Sequence, residues 1–235
     1  MTRRRWIADE FSGDRAFLLG QNAVHLTRVL RARVGQEFDI VCGGLVRLGA
    51  IVSISGDRVE FALGDALGDG WERELVLVAA IYKFDRLEWA IEKCTELGVT
   101  RIIPVIARRT EAHLAEAAGK RVERWRRIAH EASQQSRRGR PPQIDEVVRL
   151  KSALRLEAPT RLLLNENEQS ENLREALTQA ALPIAFAVGP EGGWSPEEVT
   201  EFRDGGWRSV TLGRTILRAE TAAIAALAAA AAILD

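Results

Sequence analysis

Ile184-Ala185-Phe186-Ala187-Val188-Gly189-Pro190-Glu191-Gly192-Gly193-Trp194-Ser195-Pro196-Glu197-Glu198 holds three instructions in succession. The five apolar residues have the length and composition of a buried strand. Three glycines in the next five positions let the backbone turn sharply and lie close to a ligand, because no Cβ stands in the way. Ser195 then offers a side-chain N-cap, Pro196 suits the first helical position, and Glu198 completes a capping box. Strand, loop and helix in this order indicate an α/β sheet, in which ligands bind outside the carboxyl ends of the strands. The loop is neither a G-x-G-x-x-G dinucleotide fingerprint nor a P-loop, since no G-K-[ST] follows it.

A second loop supports the first. Leu212-Gly213-Arg214-Thr215-Ile216-Leu217-Arg218-Ala219-Glu220-Thr221 follows Ser209-Val210-Thr211 and leads into an alanine-rich helix. Two arginines and a glutamate inside an otherwise apolar segment exceed what a simple turn needs.

Working outward, residues 75–81 read as a buried strand. Asp85 and Glu88 can cap the helix that places Leu87, Ile91 and Cys94 on one face and stops at Gly98. With a strand at 102–106 this makes a βαβ unit. Residues 119–138 read as a helix with Val122, Trp125, Ala129 and Ala132 on one face, ended by Pro141-Pro142. Further strands are expected at 161–164 and 209–212, with helices near 171–180 and 196–202. The first seventy residues look different. Runs 37–42 and 45–54 flank Gly43-Gly44, a good hairpin turn, and 58–63 adds a strand. A small β-barrel with one helix over 21–31 is the natural reading, and the turn-rich segment 64–70 reads as a linker. The expected domains are therefore 1–70, β-rich, and 71–235, an α/β body with helices on both sheet faces.

The 33 basic and 33 acidic residues cancel, but the charge is segregated. From Arg108 to Arg140 ten basic residues face four acidic ones; from Pro141 onward nine face fourteen. A local basic run is the electrostatic footprint of a nucleic-acid partner. Cys42 and Cys94 are too far apart in sequence for a metal-type C-x-x-C, and three isolated histidines make no metal site. The N-terminus lacks the apolar core of a signal peptide, and the apolar run 222–234 is too short to cross a bilayer. A cytoplasmic protein without metal or membrane partner is the expectation.

Four motifs in order carry a resemblance. Gly189-Pro190-Glu191-Gly192-Gly193-Trp194-Ser195 and Leu212 to Ala222 resemble signatures of the bacterial 16S ribosomal RNA uracil-N3 methyltransferases, in the knotted SPOUT class. Glu88-Trp89-Ala90-Ile91-Glu92-Lys93-Cys94-Thr95-Glu96-Leu97-Gly98-Val99 agrees, as does Trp125-Arg126-Arg127-Ile128-Ala129. His25-Leu26-Thr27-Arg28-Val29-Leu30-Arg31 is similar to the family's leading domain. The chain departs from the usual pattern at Arg214-Thr215, at Ala219 and at Ala107-Arg108.

The resemblance implies a SPOUT-type parallel sheet with a C-terminal trefoil knot, preceded by a PUA-like barrel. It implies S-adenosylmethionine as cofactor, a homodimer, and methylation of a uridine N3 in 16S rRNA of the small ribosomal subunit. Transfer RNA as substrate, or a non-catalytic role in ribosome assembly, are the alternatives. Positions matching the cofactor motifs are Leu164, Val188, Gly189, Glu191, Gly192, Gly193, Leu212, Gly213, Ile216 and Leu217. Methylation at N3 spreads negative charge onto the uracil carbonyls, and a guanidinium offers two donors to such oxygens without losing its proton. Arg218 is the catalytic candidate; its alternative is a salt bridge to Glu220 or Glu191. Glu220 suits the N-terminal dipole of the last helix. No general base is evident, since His25 and His130 read as structural. Arg5, Arg28, Arg31, Arg124, Arg127 and Arg138 are the RNA-binding candidates, within wider runs that include Arg3 and Arg137. Trp6 reads as a core residue, with base stacking as the alternative.

Overall fold

A computed structural model describes residues 4–69, 73–136 and 138–234. Arg3 and Arg137 lie outside the described residues, as does the expected domain boundary at 70/71. The chain divides into two compact units, Met1–Trp71 with Ser133–Arg140, and Glu72–Ala132 with Pro141–Asp235.

The first unit is built on a six-stranded sheet: β1 (Arg5–Ile7), β2 (Glu10–Ser12), β3 (Arg15–Leu19), β4 (Glu37–Cys42), β5 (Leu45–Ser55) and β6 (Arg58–Asp69). Their spatial order is β1-β4-β5-β6-β3-β2, antiparallel except where β1 meets β4. The first three strands are too short for alternation to reveal. Between β3 and β4 the chain forms α1 (Gly20–Val24) and then a π-helical turn, His25–Val29. Ala23, Leu26 and Ala32 anchor this connection in the core with Trp6, Leu18, Ile40 and Phe61. Trp6 is thus a core residue, 8% exposed. The segment 64–70, expected as a linker, instead extends β6 to Asp69, with Leu45 opposite Asp69 and Arg47 opposite Ala66. Register shifts absorb the glycines, and Arg47 holds the edge by donating from Nε to the Gly64 carbonyl at 2.8 Å.

The second unit is an all-parallel sheet. Its strands are β7 (Leu75–Ala80), β8 (Arg101–Ile106), β9 (Gln143–Ile144), β10 (Val148–Arg149), β11 (Thr160–Leu164), β12 (Ile184–Val188) and β13 (Arg208–Val210). They run in the order β10-β8-β7-β12-β11-β13, with β9 also on β8. Every residue of β7 and β12 is buried, as strands covered on both faces must be. The helices are α2 (Phe84–Glu96), α3 (Ala112–Ala118), α4 (Val122–Gln135), α5 (Leu150–Ala153), α6 (Leu173–Thr178), α7 (Pro196–Asp204) and α8 (Ala219–Leu234). Alternate strand residues divide between two cores. Leu75, Leu77, Ile102 and Phe186 pack under α2, α4, α6 and α8, while Val76, Val78, Ala185 and Ala187 pack under α5 and α7. α8 rests on α2, α6 and β12.

One expected cap is different. α2 starts from Lys83, which makes no side-chain cap, and Glu88 instead accepts from Arg124 Nε at 2.8 Å and lies 3.5 Å from Arg121 Nη1. The capping box at Ser195 forms as expected: Ser195 Oγ accepts the Glu198 N–H and Glu198 accepts the Ser195 N–H. Both cysteines are buried free thiols, and burial raises their pKa, Cys42 to about 11.

Candidate functional site

The carboxyl ends of β11, β12 and β13 feed three loops that enclose a cavity within the second unit. Leu164 and Val188 are the last residues of their strands and form its inner wall. Gly189, Glu191 and Gly193 contribute from the first loop, and Leu212, Gly213, Ile216 and Leu217 from the second. Gly192 does not line it. Asn165 and Glu166, which lie outside the motifs, do, as does Trp194, which the first motif contains but which was not among the cofactor positions.

Glycine is required here for space as well as conformation. Gly193 has φ +70°, and a Cβ there would stand 2.7 Å from Glu166 Oε1. At Gly189 a Cβ would meet the Gly193 and Trp194 backbone at 3.2 Å, because the loop folds back on itself. The Gly193 N–H donates to the Pro190 carbonyl at 2.8 Å to close that turn. In the second loop Gly213 has φ +128°, and its N–H donates to Thr211 Oγ1 at 3.2 Å. The first loop is braced from the loop after β8: Arg109 Nη1 donates to the Gly192 carbonyl, and the Arg108 N–H donates to Glu198 at 2.7 Å. Glu198 is 1% exposed, and its two carboxylate oxygens accept from the Arg108 and Ser195 N–H groups, so both oxygens of the buried carboxylate have partners.

The ion pairing differs from expectation. Arg86, in the first turn of α2, donates to Glu191 Oε1 at 2.6 Å, and its Nε lies 3.9 Å from Glu220 Oε1. Glu220 is 5% exposed, and its second carboxylate oxygen has no hydrogen-bond partner among the described residues. Arg218, by contrast, is exposed, lies outside the cavity lining, and makes no side-chain ion pair among the described residues. The salt bridge considered for Arg218 is therefore made by Arg86. A signal for Arg86 existed: a cation in the first turn of a helix opposes the dipole and needs acidic partners from elsewhere.

The basic candidates separate as sharply. Arg124 is held by Glu88, Arg5 lies 3.9 Å from Asp39, and Arg138 is 9% exposed. Arg126, beside it on α4, pairs with Glu123 and Glu146. Arg127 makes no such pair among the described residues. In the first unit Arg28, Arg31 and Arg33 carry no ion pair among the described residues, and they lie beside Val29 at 64% and Val34 at 61% exposure. Arg31 adopts φ +54°, a left-handed conformation unusual outside glycine, where the π-helical turn ends.

Residues 70–231 match the family model of the RNA methyltransferase domain. Over 227 residues the chain is 34% identical to Ribosomal RNA small subunit methyltransferase E of Synechocystis, covering 90% of this chain and 71% of that protein. This chain belongs to the ribosomal RNA small subunit methyltransferase E family. A Rickettsia conorii member of the family is 38% identical over 159 residues, which span 66% of this chain and 62% of that protein. Among solved structures, a family member from Neisseria gonorrhoeae, crystallised bound to S-adenosyl methionine, superposes with TM-score 0.82 at 30% identity. That match covers 97% of this chain and 96% of the other. Among the described residues no helix is long and apolar enough to cross a membrane, and no cluster of three or more potential metal ligands occurs.

Proposed function

We propose that the chain transfers a methyl group from S-adenosylmethionine to N3 of a uridine in 16S rRNA of the small ribosomal subunit. The observation that carries this reading is the cavity at the ends of β11, β12 and β13, whose two glycine loops belong to a chain of this family. The cavity's composition fits the cofactor. Leu164, Val188, Leu212 and Leu217 supply apolar walls for a flat base, and the glycine loops bring backbone donors and acceptors within reach. Glu191 supplies negative charge for a cation. Leu164, Val188, Gly189, Glu191, Gly193, Leu212, Gly213, Ile216 and Leu217 would hold it, with Gly192 shaping the loop from behind. When bound, S-adenosylmethionine supplies an electrophilic methyl group and leaves as a neutral thioether.

The chain's own work is on the uracil. N3 must lose its proton, and the charge that develops spreads onto the flanking carbonyl oxygens. Arg218, exposed and without an ion pair among the described residues, is available to donate to those oxygens. Arg28, Arg31, Arg127 and, in their weaker setting, Arg5, Arg124 and Arg138 are assigned to the RNA backbone.

The same reading assigns residues 1–70 to a PUA-like RNA-binding barrel and 71–235 to a SPOUT methyltransferase domain with a trefoil knot. It also assigns a homodimer and a cytoplasmic location. Ala223, Ala226 and Ala230, whose small side chains would suit a close contact with a partner, are instead buried in their own unit, so a partner meeting α8 would touch the exposed Thr221, Ala232 and Ile233. The test is direct. Small subunits from a strain lacking the gene, incubated with the protein and labelled donor, should acquire one 3-methyluridine in 16S rRNA. Label entering only transfer RNA, or donor binding without any transfer, would replace this reading with one of its two alternatives.

A further inference from the structure

The cofactor reading uses Glu191 but neither Arg86 nor Glu220, and the charges of the three do not cancel. Two carboxylates share one guanidinium, with Glu191 Oε1 at 2.6 Å from Nη1 and Glu220 Oε1 at 3.9 Å from Nε. Glu191 lines the cavity, and Glu220 stands between Ala219 and the helical turn ending at Ala222, both of which line it. Glu220 is almost fully buried and keeps one carboxylate oxygen without a partner among the described residues, so its charge is poorly screened. The surrounding charges do not restore the balance. Arg109, Arg214 and Glu166 are exposed to solvent, as Glu191 is, which weakens their reach, so the buried Glu220 carries most of the surplus. Tyr82 is buried near the cluster. Its phenol is raised well above the ordinary value first by burial, then by Cys94, Glu220 and Glu191, with Arg86 opposing.

We infer that Arg86, Glu191 and Glu220 form a charge-selective cluster that makes the cavity prefer a cationic methyl donor over its neutral thioether product. The inference rests on the cofactor reading above. Donor and product share adenine, ribose and amino-acid tail, so the apolar walls and glycine loops meet the same groups in both. The two differ by one methyl group and one positive charge on sulfur. A net negative cluster held beside the cavity acts on that charge alone. Arg86 limits the effect: with both carboxylates unpaired, the site would hold cations of any kind.

Titration calorimetry with S-adenosylmethionine, S-adenosylhomocysteine and sinefungin tests this on the full chain. Sinefungin carries an ammonium group near the position of the sulfonium and reports charge without reactivity. Glu191→Gln should weaken the two cationic ligands roughly three- to tenfold and S-adenosylhomocysteine by less than about twofold. Arg86→Gln should shift the ratio in the opposite direction, and Arg86→Lys should leave it near wild type. A packing defect would weaken all three ligands together, so parallel losses in folded Glu191→Gln protein would overturn the inference. If Arg86→Gln does not fold, Glu191→Gln and Arg86→Lys still decide the matter. Wild-type protein that binds none of the three ligands would instead overturn the cofactor reading itself.

Discussion

Gly193 shows how much one residue can determine. Its φ is positive, a conformation that L side chains rarely adopt, and a Cβ there would also have to push aside the Glu166 carboxylate, 2.7 Å away. Gly193→Val should therefore reduce donor affinity by tenfold or more, on the order of 1.4 kcal/mol per tenfold, while circular dichroism stays native. Calorimetry showing unchanged affinity in folded protein would remove this loop from the binding site. Arg218 makes a different demand. A donor that acts on charge developing in the transition state lowers turnover, not affinity, when lost, typically by about a hundredfold. Arg218→Lys keeps the charge without the planar fork and should stay well below wild type in single-turnover methylation at saturating RNA and donor. A normal rate constant for Arg218→Ala would end its candidacy. At this scale the glycine loop was a local signal in the sequence, whereas the wall residues were named from the resemblance to the family's motifs, and the cavity that they line, without Gly192, is what the structure adds. Arg86, Asn165 and Glu166 were not legible in the sequence. They reach the site from α2 and from the loop after β11, and only the strand order brings those segments beside the glycine loops.

Elements carry their own predictions. The start of α7 depends on reciprocal bonds between Ser195 and Glu198, so Ser195→Ala should destabilise the protein by about 1 kcal/mol in denaturant titration. A shift near zero would mean that the Arg108 N–H alone secures Glu198. The basic elements should behave unequally. Reversing Arg28 and Arg31 to glutamate should weaken RNA binding across sequences and flatten its dependence on salt. Reversing Arg124 should mainly break its pair with Glu88, and reversing the buried Arg138 should lower stability before it affects RNA. Equal salt slopes for wild type and the Arg28/Arg31 variant would show that this turn is a solvated surface. The density of arginine over 121–140 was visible in sequence, but the pairing of Arg121, Arg124 and Arg126 was not, since Glu88 and Glu146 lie in other parts of the chain. The segment 64–70 misled for a related reason. Its glycines announce a turn locally, and only pairing with β5 makes them part of a strand.

The whole molecule was legible in outline: a β-rich first part, then alternating strands and helices with two helical layers. The short strands β1, β2, β9 and β10 were not, because two or three residues cannot display a period. Sedimentation at micromolar concentration should give a species of twice the 26.0 kDa chain mass, and a purely monomeric boundary would reject the dimer. The strand order has one more consequence. In the parallel sheet the central pair is β7 with β12, so Leu75 must find Ile184, and no hairpin exists to guide any partner. Loop closure over so long a separation makes assembly of such a sheet slow, whatever its final stability. The β-rich unit, joined mostly through neighbouring strands, can form while the sheet that will hold the cavity is still searching. A newly made chain would then pass through a stage with its arginine-bearing turn already shaped and its transfer chemistry not yet built.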